Sequence, residues 1–355
     1  MNKQQITNLA KHLHRYKIPI LNDIALHCGS PILGTTKASR IEGIIAQYQL
    51  YLTQWHNLAC RNTLSIDIGI KNFSYCKTTT KKTTATRPTV EGATDATQQN
   101  LTSLSAWPVI VTHWQKLNLD TKYGSLYTHL LHQDTILDTK RYLNHITNHL
   151  VDDILAPNLS NVKIMEIQRT RSNNNAKTLP TILTNHILEN LILSKMYPSL
   201  VVPMTSMKLI HFWLYRFITK ESINSGKLKK NNKIIRRDLI LAWFGKLYQL
   251  EGYENNNIRT SEGTKSIGSS SQLTMCQLLD HLHLSKGDKT DDLIDSLLYN
   301  LCINCQLNHL YQFHTCLQQQ KDDDDYNLIE FVENANQFHL DLIQPVIDKY
   351  QLTVK

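Results

Sequence analysis

The sequence predicts an α/β protein built on a mixed β-sheet. Segments rich in β-forming residues occur in a definite order, with three strands first and then strands that alternate with helices. Leu64–Tyr75 (LSIDIGIKNFSY) alternates apolar and polar residues, turns at Gly69 and then resumes its extended pattern. This predicts two strands joined by a tight turn. Further strands are predicted at 108–114, 162–167 and 201–204.

Helical periodicity fills most of the remaining chain. Residues 1–60 indicate helices, because Gly29–Pro31 (GSP) ends one of them and Thr35 or Thr36 is a suitable N-cap for another that begins at Lys37. Apolar residues also recur at helical spacing in three long stretches and in the C-terminal tail. The long stretches are 122–155, 178–197 and 288–318.

The predicted organisation has three parts. Residues 1–60 form a small helical module, residues 61–320 form the α/β domain, and residues 321–355 form a helical C-terminal extension. Two segments of the α/β domain, near 77–104 and 251–272, are rich in polar residues and have the composition of inserted loops.

The composition favours a protein of a reducing compartment with a polyanionic partner but does not identify its function. The chain of 355 residues has a formal net charge of +8, which favours a polyanionic partner, although solubility alone also explains such a charge. Seven cysteines without a compact framework indicate a reducing compartment. Cys302 and Cys305 form a C-x-x-C motif, but no second cysteine pair accompanies it, so we interpret it as part of a buried helix face. No stretch of sequence has the length and apolarity of a membrane span.

The N-terminal segment supports two interpretations. Its first 22 residues contain no acid, and basic residues accompany apolar residues at helical spacing. This pattern is typical of a mitochondrial presequence and equally of an ordinary amphipathic first helix.

Five acids stand at positions that call for an explanation. Asp67 and Glu166 each lie within a predicted apolar strand, where a carboxylate has to be paired or bound to a metal. Asp291, Asp292 and Asp295 begin a predicted helix. Either Asp291 or Asp292 can share a helix face with Asp295, because their spacings are i, i+4 and i, i+3.

Each of these acids alone has a structural explanation, since acids in a first helical turn complement the helix dipole. Together they indicate phosphodiester hydrolysis, in which two divalent cations about 4 Å apart activate a water and stabilise the leaving 3′ oxygen. Hard cations such as Mg²⁺ prefer carboxylate oxygens. Carboxylates contributed by separate elements therefore predict a metal centre.

Three motifs, in this order, resemble those of the fungal mitochondrial Holliday-junction resolvases. They are Leu64–Phe73 (LSIDIGIKNF), Glu166–Arg171 (EIQRTR) and Lys289–Ser296 (KTDDLIDS). His113–Leu119 (HWQKLNL) also resembles the strand that follows the first hairpin of that family. Two residues depart from the family pattern: Ile167 stands where the second motif has a basic residue, and Thr290 stands where the third has a lysine.

The resemblance implies an RNase H-like mixed sheet flanked by helices, in an endonuclease that needs Mg²⁺ or Mn²⁺ and acts as a homodimer on four-way DNA junctions in mitochondria. Its metal ligands would be Asp67, Glu166, Asp291 and Asp295. Asp292 competes with Asp291 for this role, and the choice stays open. The alternatives are a nuclease of the same fold that acts on RNA–DNA hybrids or flaps, and a non-catalytic DNA-binding protein.

Basic residues near these motifs are predicted to bind DNA. Arg169 and Arg171 follow Glu166, and a planar guanidinium suits phosphate oxygens. Leu21–Ile45 resembles the SAP motif, a DNA-binding module of two helices around an extended loop, and a generic helical hairpin is the alternative. The predicted DNA-binding residues are Lys37, Arg40, Lys71, Arg169, Arg171, Lys229, Lys230 and Lys233.

Overall fold

Five strands form one mixed sheet in the order β3-β2-β1-β4-β5. Strand β1 pairs antiparallel with β2 and parallel with β4, while β3 continues the antiparallel half and β5 the parallel half. The predicted α/β fold, a mixed sheet flanked by helices, is confirmed. The strands are β1 (Cys60–Asp67), β2 (Phe73–Lys81), β3 (Val109–Leu117), β4 (Val162–Glu166) and β5 (Val202–Met204).

The structure is a computed structural model that describes residues 3–81, 109–130, 136–168, 179–224, 228, 233–243, 290–318 and 328–355. Its helices are α1 (Lys3–Leu13), α2 (Ile18–Cys28), α3 (Lys37–Gln54), α4 (Leu119–Tyr123), α5 (Ile136–Leu150), α6 (Leu179–Met196), α7 (Ser206–Ile210), α8 (Lys220–Asn224), α9 (233–243), α10 (Asp291–Gln318) and α11 (Leu328–Tyr350). Single π-helical turns extend α5 to Leu155 and α7 to Tyr215. None of the helices within these ranges is both long and apolar enough to cross a lipid bilayer.

Strand β2 runs further than its composition suggested. We expected the polar segment after residue 76 to be a loop, but β2 continues to Lys81, paired with β1 as far as Cys60. Thr78 and Thr80 lie on the buried side of this extension. Their β-branched side chains suit a strand, and Thr78 finds a buried hydrogen-bond partner on α10. The prediction from polar composition was therefore wrong about the end of β2, which lies at Lys81 and not before residue 77.

The stretch predicted as one helix over 122–155 is divided. Helix α4 ends at Tyr123, and α5 begins only at Ile136. At Gly124 a Cβ atom would lie 2.7 Å from the Tyr142 hydroxyl of α5, so a larger residue there would require the end of the Tyr142 side chain to move.

The N-terminal helices follow the predicted turn chemistry. Helix α2 ends at Gly29 in the left-handed conformation (φ 70°), where glycine is favoured. Helix α3 begins after Thr36, whose hydroxyl accepts a hydrogen bond from the backbone N–H of Ser39 at 3.1 Å. Ile24 of α2 and Ile41 of α3 belong to the same hydrophobic core as residues of α10 and α11.

Helix α10 lies across the sheet and carries a line of buried polar residues, which we call the polar ladder. The residues recur every fourth position and are less than 5% exposed: Ser296, Asn300, Asn304 and Asn308. Cys302 and Cys305 are also buried on this helix as free thiols, as expected.

The polar ladder hydrogen-bonds to β1 and β2. Asn300 Nδ2 donates to the carbonyl oxygens of Thr63 (3.2 Å) and Cys76 (3.1 Å), and Asn300 Oδ1 accepts from the Thr78 hydroxyl (2.6 Å). Arg61 Nη2 donates to Asn308 Oδ1 at 2.7 Å. Buried polar groups are costly unless they are paired, so the polar ladder fixes where α10 lies along the strands.

The first turns of α10 are held by three strands. The Ser65 hydroxyl of β1 donates to the carbonyl of Ser296 at 2.6 Å, and the Ser74 hydroxyl of β2 donates to the carbonyl of Asp292 at 2.6 Å. Trp114 of β3 donates from its indole Nε1 to the carbonyl of Leu293 at 2.7 Å. The acidic start of α10 is therefore anchored at one end of the sheet.

Replacing the central residue of the polar ladder tests this anchoring. We expect Asn300→Ala to lower the free energy of unfolding by about 2–4 kcal/mol, because it leaves several buried polar groups of β1 and β2 unpaired. The measurement is urea denaturation followed by circular dichroism. Asn190→Ala, at an exposed asparagine of α6, is the matched control and should change stability by less than about 0.5 kcal/mol. Equal effects of the two substitutions would contradict the role given to the polar ladder.

Candidate active site

Two strand ends and one helix start meet at the candidate site. Strands β1 and β4 are parallel neighbours, so their carboxyl ends lie at the same edge of the sheet. Asp67 is the last residue of β1 and Glu166 the last residue of β4, each directly after the paired residues Ile66 and Met165. Helix α10 begins at this edge, held there by the hydroxyl of Ser74.

Asp67 is buried among other carboxylates. Only 5% of the residue is exposed. Burial raises its pKa well above the ordinary value, and the carboxylate of Glu166, within hydrogen-bonding reach, raises it further, with smaller contributions from Asp295 and Asp292. Asp67, Glu166, Asp292 and Asp295, which come from three separate elements, are therefore neighbours here.

The two carboxylate oxygens of Asp295 have different surroundings. Burial raises its pKa to about 7, Arg236 opposes this rise, and Glu166 and Asp292 add to it. Arg236 Nη1 donates a hydrogen bond to Asp295 Oδ2. The other oxygen, Oδ1, is buried and accepts no hydrogen bond from any residue that the structure describes. Asp295 thus has one oxygen held by a cation and one available to a ligand.

The choice between Asp291 and Asp292 has a geometric basis. Asp291 forms an ion pair with Lys233 of α9. Asp292 instead acts electrostatically on both Asp67 and Asp295, and it lies one helical turn before Ser296 of the polar ladder. The carboxylates that the fold brings together are therefore those of Asp67, Glu166, Asp292 and Asp295.

The residues predicted to bind DNA are spread over several elements. Lys71 is exposed in the turn between β1 and β2, four residues after Asp67. Lys37, at the start of α3, donates to the carbonyl oxygen of His14 at 2.5 Å, and Arg40 lies one turn further along the same helix. Lys233 is paired with Asp291. Arg169, Arg171, Lys229 and Lys230 lie outside the described residues.

Sequence reasoning missed three residues at this edge. Arg236 lies close to the predicted DNA-binding residues Lys229, Lys230 and Lys233 but was not among them, and Tyr299 was not singled out. Glu189 of α6 is buried and accepts a hydrogen bond from the backbone N–H of Gln168 at 3.0 Å, so it holds the chain directly after β4. Of the three, only Tyr299 could have been predicted from the sequence, because it lies four residues after Asp295 and therefore on the same helix face.

Comparison with known proteins decides the family. Residues 63–313, more than half of the chain, match the model of a family described as mitochondrial resolvase Ydc2 / RNA splicing MRS1. The chain belongs to this family.

The chain is also similar to two individual proteins of yeast mitochondria. The chain is 25% identical over 271 residues to the mitochondrial cruciform cutting endonuclease 1 of Saccharomyces cerevisiae, covering 68% of this chain and 67% of that protein. The crystal structure of the yeast mitochondrial Holliday junction resolvase Ydc2 aligns with 85% of this chain and 99% of its own, at 15% identity and a TM-score of 0.41.

The acid cluster of this resolvase-family chain has the donor chemistry that a hard divalent cation needs. It offers carboxylate oxygens, and the buried Oδ1 of Asp295 has no other described partner. In the described residues, no three His, Cys, Asp or Glu side chains stand round one point as ligands would. Since close carboxylates repel one another, side-chain rotation is needed to bring their oxygens together round a cation.

The effect of repulsion between these carboxylates on the stability of the protein can be measured directly. We expect Asp67→Asn to raise the free energy of unfolding by on the order of 1 kcal/mol at pH 8 in EDTA, because it removes a buried charge and supplies an amide that can donate to Glu166. Denaturation in urea provides the measurement. The same change at an exposed acid of α11, Asp341→Asn, is the control and should leave stability nearly unchanged. A clear loss of stability in Asp67→Asn would argue against repulsion in the cluster.

Proposed function

We propose that this protein is a divalent-metal-dependent endonuclease that resolves four-way DNA junctions by paired symmetric nicks during mitochondrial DNA recombination. One observation carries the proposal: carboxylates from β1, β4 and α10, of which Asp67 and Asp295 are buried, converge at one edge of the sheet. Its yeast relative carries the name of a mitochondrial cruciform cutting endonuclease, which supports both the substrate and the compartment.

The carboxylates would hold Mg²⁺, with Mn²⁺ as a substitute. Asp67, Glu166 and Asp295 are the proposed ligands, and the electrostatic contacts of Asp292 favour it over Asp291 as the fourth. Cations of this kind supply activation of a water and stabilisation of the leaving 3′ oxygen. The protein's own part is to hold its carboxylates at fixed strand and helix ends, so that little has to be rearranged when the phosphodiester arrives.

Basic residues around this edge would bind the junction. Lys71 is exposed close in sequence to Asp67, and Arg169 and Arg171 lie within five residues after Glu166. Affinity for DNA comes mainly from such phosphate contacts and not from the acids. Lys37 and Arg40 of the SAP-like helices, and Lys229, Lys230 and Lys233, are proposed as contacts to the junction arms.

Two alternatives remain to be tested against this proposal. The first alternative is a protein that binds nucleic acid without cutting it. It is supported by the family description, which also names RNA splicing. A nuclease of the same fold that acts on RNA–DNA hybrids or flaps is the other alternative. The first alternative would cut no substrate, and the second would cut a substrate other than a four-way junction.

Asp67→Asn separates catalysis from binding. We expect this variant to lose cleavage of a four-way junction in Mg²⁺ while its junction affinity stays unchanged, because Asn keeps the shape of the side chain and loses its charge. Cleavage is followed on end-labelled junction, plain duplex, RNA–DNA hybrid and structured RNA, with Asp341→Asn as the control.

Each alternative has its own outcome in this experiment. Preferential cutting of the hybrid would favour the second alternative. Binding of structured RNA without cleavage of any substrate would favour the first. Normal cleavage by Asp67→Asn would remove Asp67 from the active site.

We propose in addition that the active form is a homodimer. A four-way junction has approximate two-fold symmetry, and paired nicks need two identical sites related by a two-fold axis. Helix α10 buries most of its apolar residues within the chain, whereas α6 leaves Leu183 (51%) and Leu193 (37%) exposed. Helix α6 is therefore the better candidate for the contact between protomers.

Mixed dimers test this second proposal. When wild-type protein is mixed with an excess of Asp67→Asn, the heterodimer carries one intact site, so single nicks should replace paired nicks on one junction. Sedimentation of the protein with a junction should give two chains per junction. Paired symmetric nicks made by a complex with a single chain would refute the dimer.

A further inference from the structure

Tyr299 occupies an unusual position for a core residue. It lies on α10 one turn after Asp295, and none of its surface is exposed. Its hydroxyl is buried and makes no hydrogen bond of standard geometry with any residue that the structure describes. Leaving a hydroxyl in this state costs on the order of 1–3 kcal/mol, so a phenylalanine would fill the same space at lower cost.

The surroundings of the hydroxyl indicate what it does. Besides burial, the groups that raise the pKa of Tyr299 are the carboxylates of Glu166, Asp67 and Asp295, in that order. Glu166 is also within hydrogen-bonding reach of the hydroxyl. A tyrosine hydroxyl has one proton to donate, and the charged neighbours named here are all acceptors.

Glu166 has no cation partner among the described residues, unlike Asp295 of the cluster and the neighbouring Asp291. Asp295 has Arg236 as a partner, and Asp291 has Lys233. Within the described residues, Glu166 forms no ion pair, and its long side chain has more rotamers than an aspartate. A donor fixed on α10 would select one of these rotamers.

We propose that Tyr299 is a positioning residue, whose hydroxyl donates to Glu166 and holds that carboxylate in the acid cluster. The inference rests on the proposed function, since it treats Glu166 as a metal ligand. Hydrogen-bond partners that orient a ligand change metal affinity or activity by about 10–100-fold when they are removed.

The test compares two tyrosine-to-phenylalanine substitutions. Tyr123 is also buried with a hydroxyl that lacks a described hydrogen-bond partner, but its acidic neighbour is Asp153 and not the acid cluster. We expect Tyr299→Phe to weaken Mn²⁺ binding to the DNA-free protein by about 10–100-fold. Tyr123→Phe should leave Mn²⁺ affinity unchanged. Calorimetric titration gives the affinities, and the junction dissociation constant in EDTA should stay the same in both variants.

A double-mutant cycle then distinguishes positioning of Glu166 from a general effect on folding. If Tyr299 acts through Glu166, Tyr299→Phe should weaken Mn²⁺ binding little further in a Glu166→Gln background. Additive losses would overturn the inference, because they would mean that the hydroxyl acts on something else. Wild-type affinity in Tyr299→Phe would overturn it as well.

The same titration keeps this inference separate from the proposed function. If the wild-type protein bound no Mn²⁺ and cut no junction, the proposed function would fail and this inference with it. If the wild type bound Mn²⁺ and Asp67→Asn did not, while Tyr299→Phe behaved as wild type, only the inference would fail. Unfolding in urea should show that Tyr299→Phe remains folded, so that its loss of Mn²⁺ affinity reports on the acid cluster and not on folding.

Discussion

The register of α10 on the sheet is the constraint on which the rest of this structure depends. An apolar helix could slide along an apolar sheet with modest changes in packing, but Asn300 and Asn304 are hydrogen-bonded to defined atoms of β1 and β2. A shift by one turn would separate several buried donors and acceptors at once, and each separation carries a desolvation penalty. The same register decides which residues of the first turns meet the ends of β1 and β4.

This constraint explains how the fold tolerates a cluster of buried acids. Burial and mutual repulsion act against ionised carboxylates at Asp67 and Asp295, and the pKa of Asp295 accordingly rises to about 7. Arg236 and Lys233 of α9 offset part of this cost through their ion pairs with Asp295 and Asp291. The rest of this free-energy cost is offset by core packing and by the polar ladder, which hold the carboxylates in place against their mutual repulsion.

The parts of this arrangement differ in how far the sequence alone could predict them. Apolar alternation predicted β1, and a short apolar run with a single acid predicted β4. The structure adds the parallel pairing that brings Asp67 and Glu166 together. The end of β2 was missed because the burial of Thr78 depends on a partner 222 residues away, at Asn300, which no local pattern contains. The same limit applies to Arg236, since its contact with Asp295 spans 59 residues.

The choice between Asp291 and Asp292 shows a second limit. Both are in the first turn of α10, and helical spacing allows either to share a face with Asp295. The decision depends on the rotation of the helix about its axis, which the polar ladder fixes through contacts with the sheet. The ladder was visible in the sequence as polar residues at every fourth position of an apolar helix, so the rotation could have been inferred from it.

The stability cost of the acid cluster also helps to distinguish the two activities named in the family description, junction resolution and RNA splicing. A protein that only bound RNA or DNA would gain stability by replacing Asp67 or Asp295 with a neutral residue, because each is buried next to other carboxylates. Phosphate binding itself gains nothing from these acids, since they repel a polyanion. A chain that keeps four of them at one edge of its sheet therefore carries a stability cost that bound cations would offset, and this favours catalysis over binding alone.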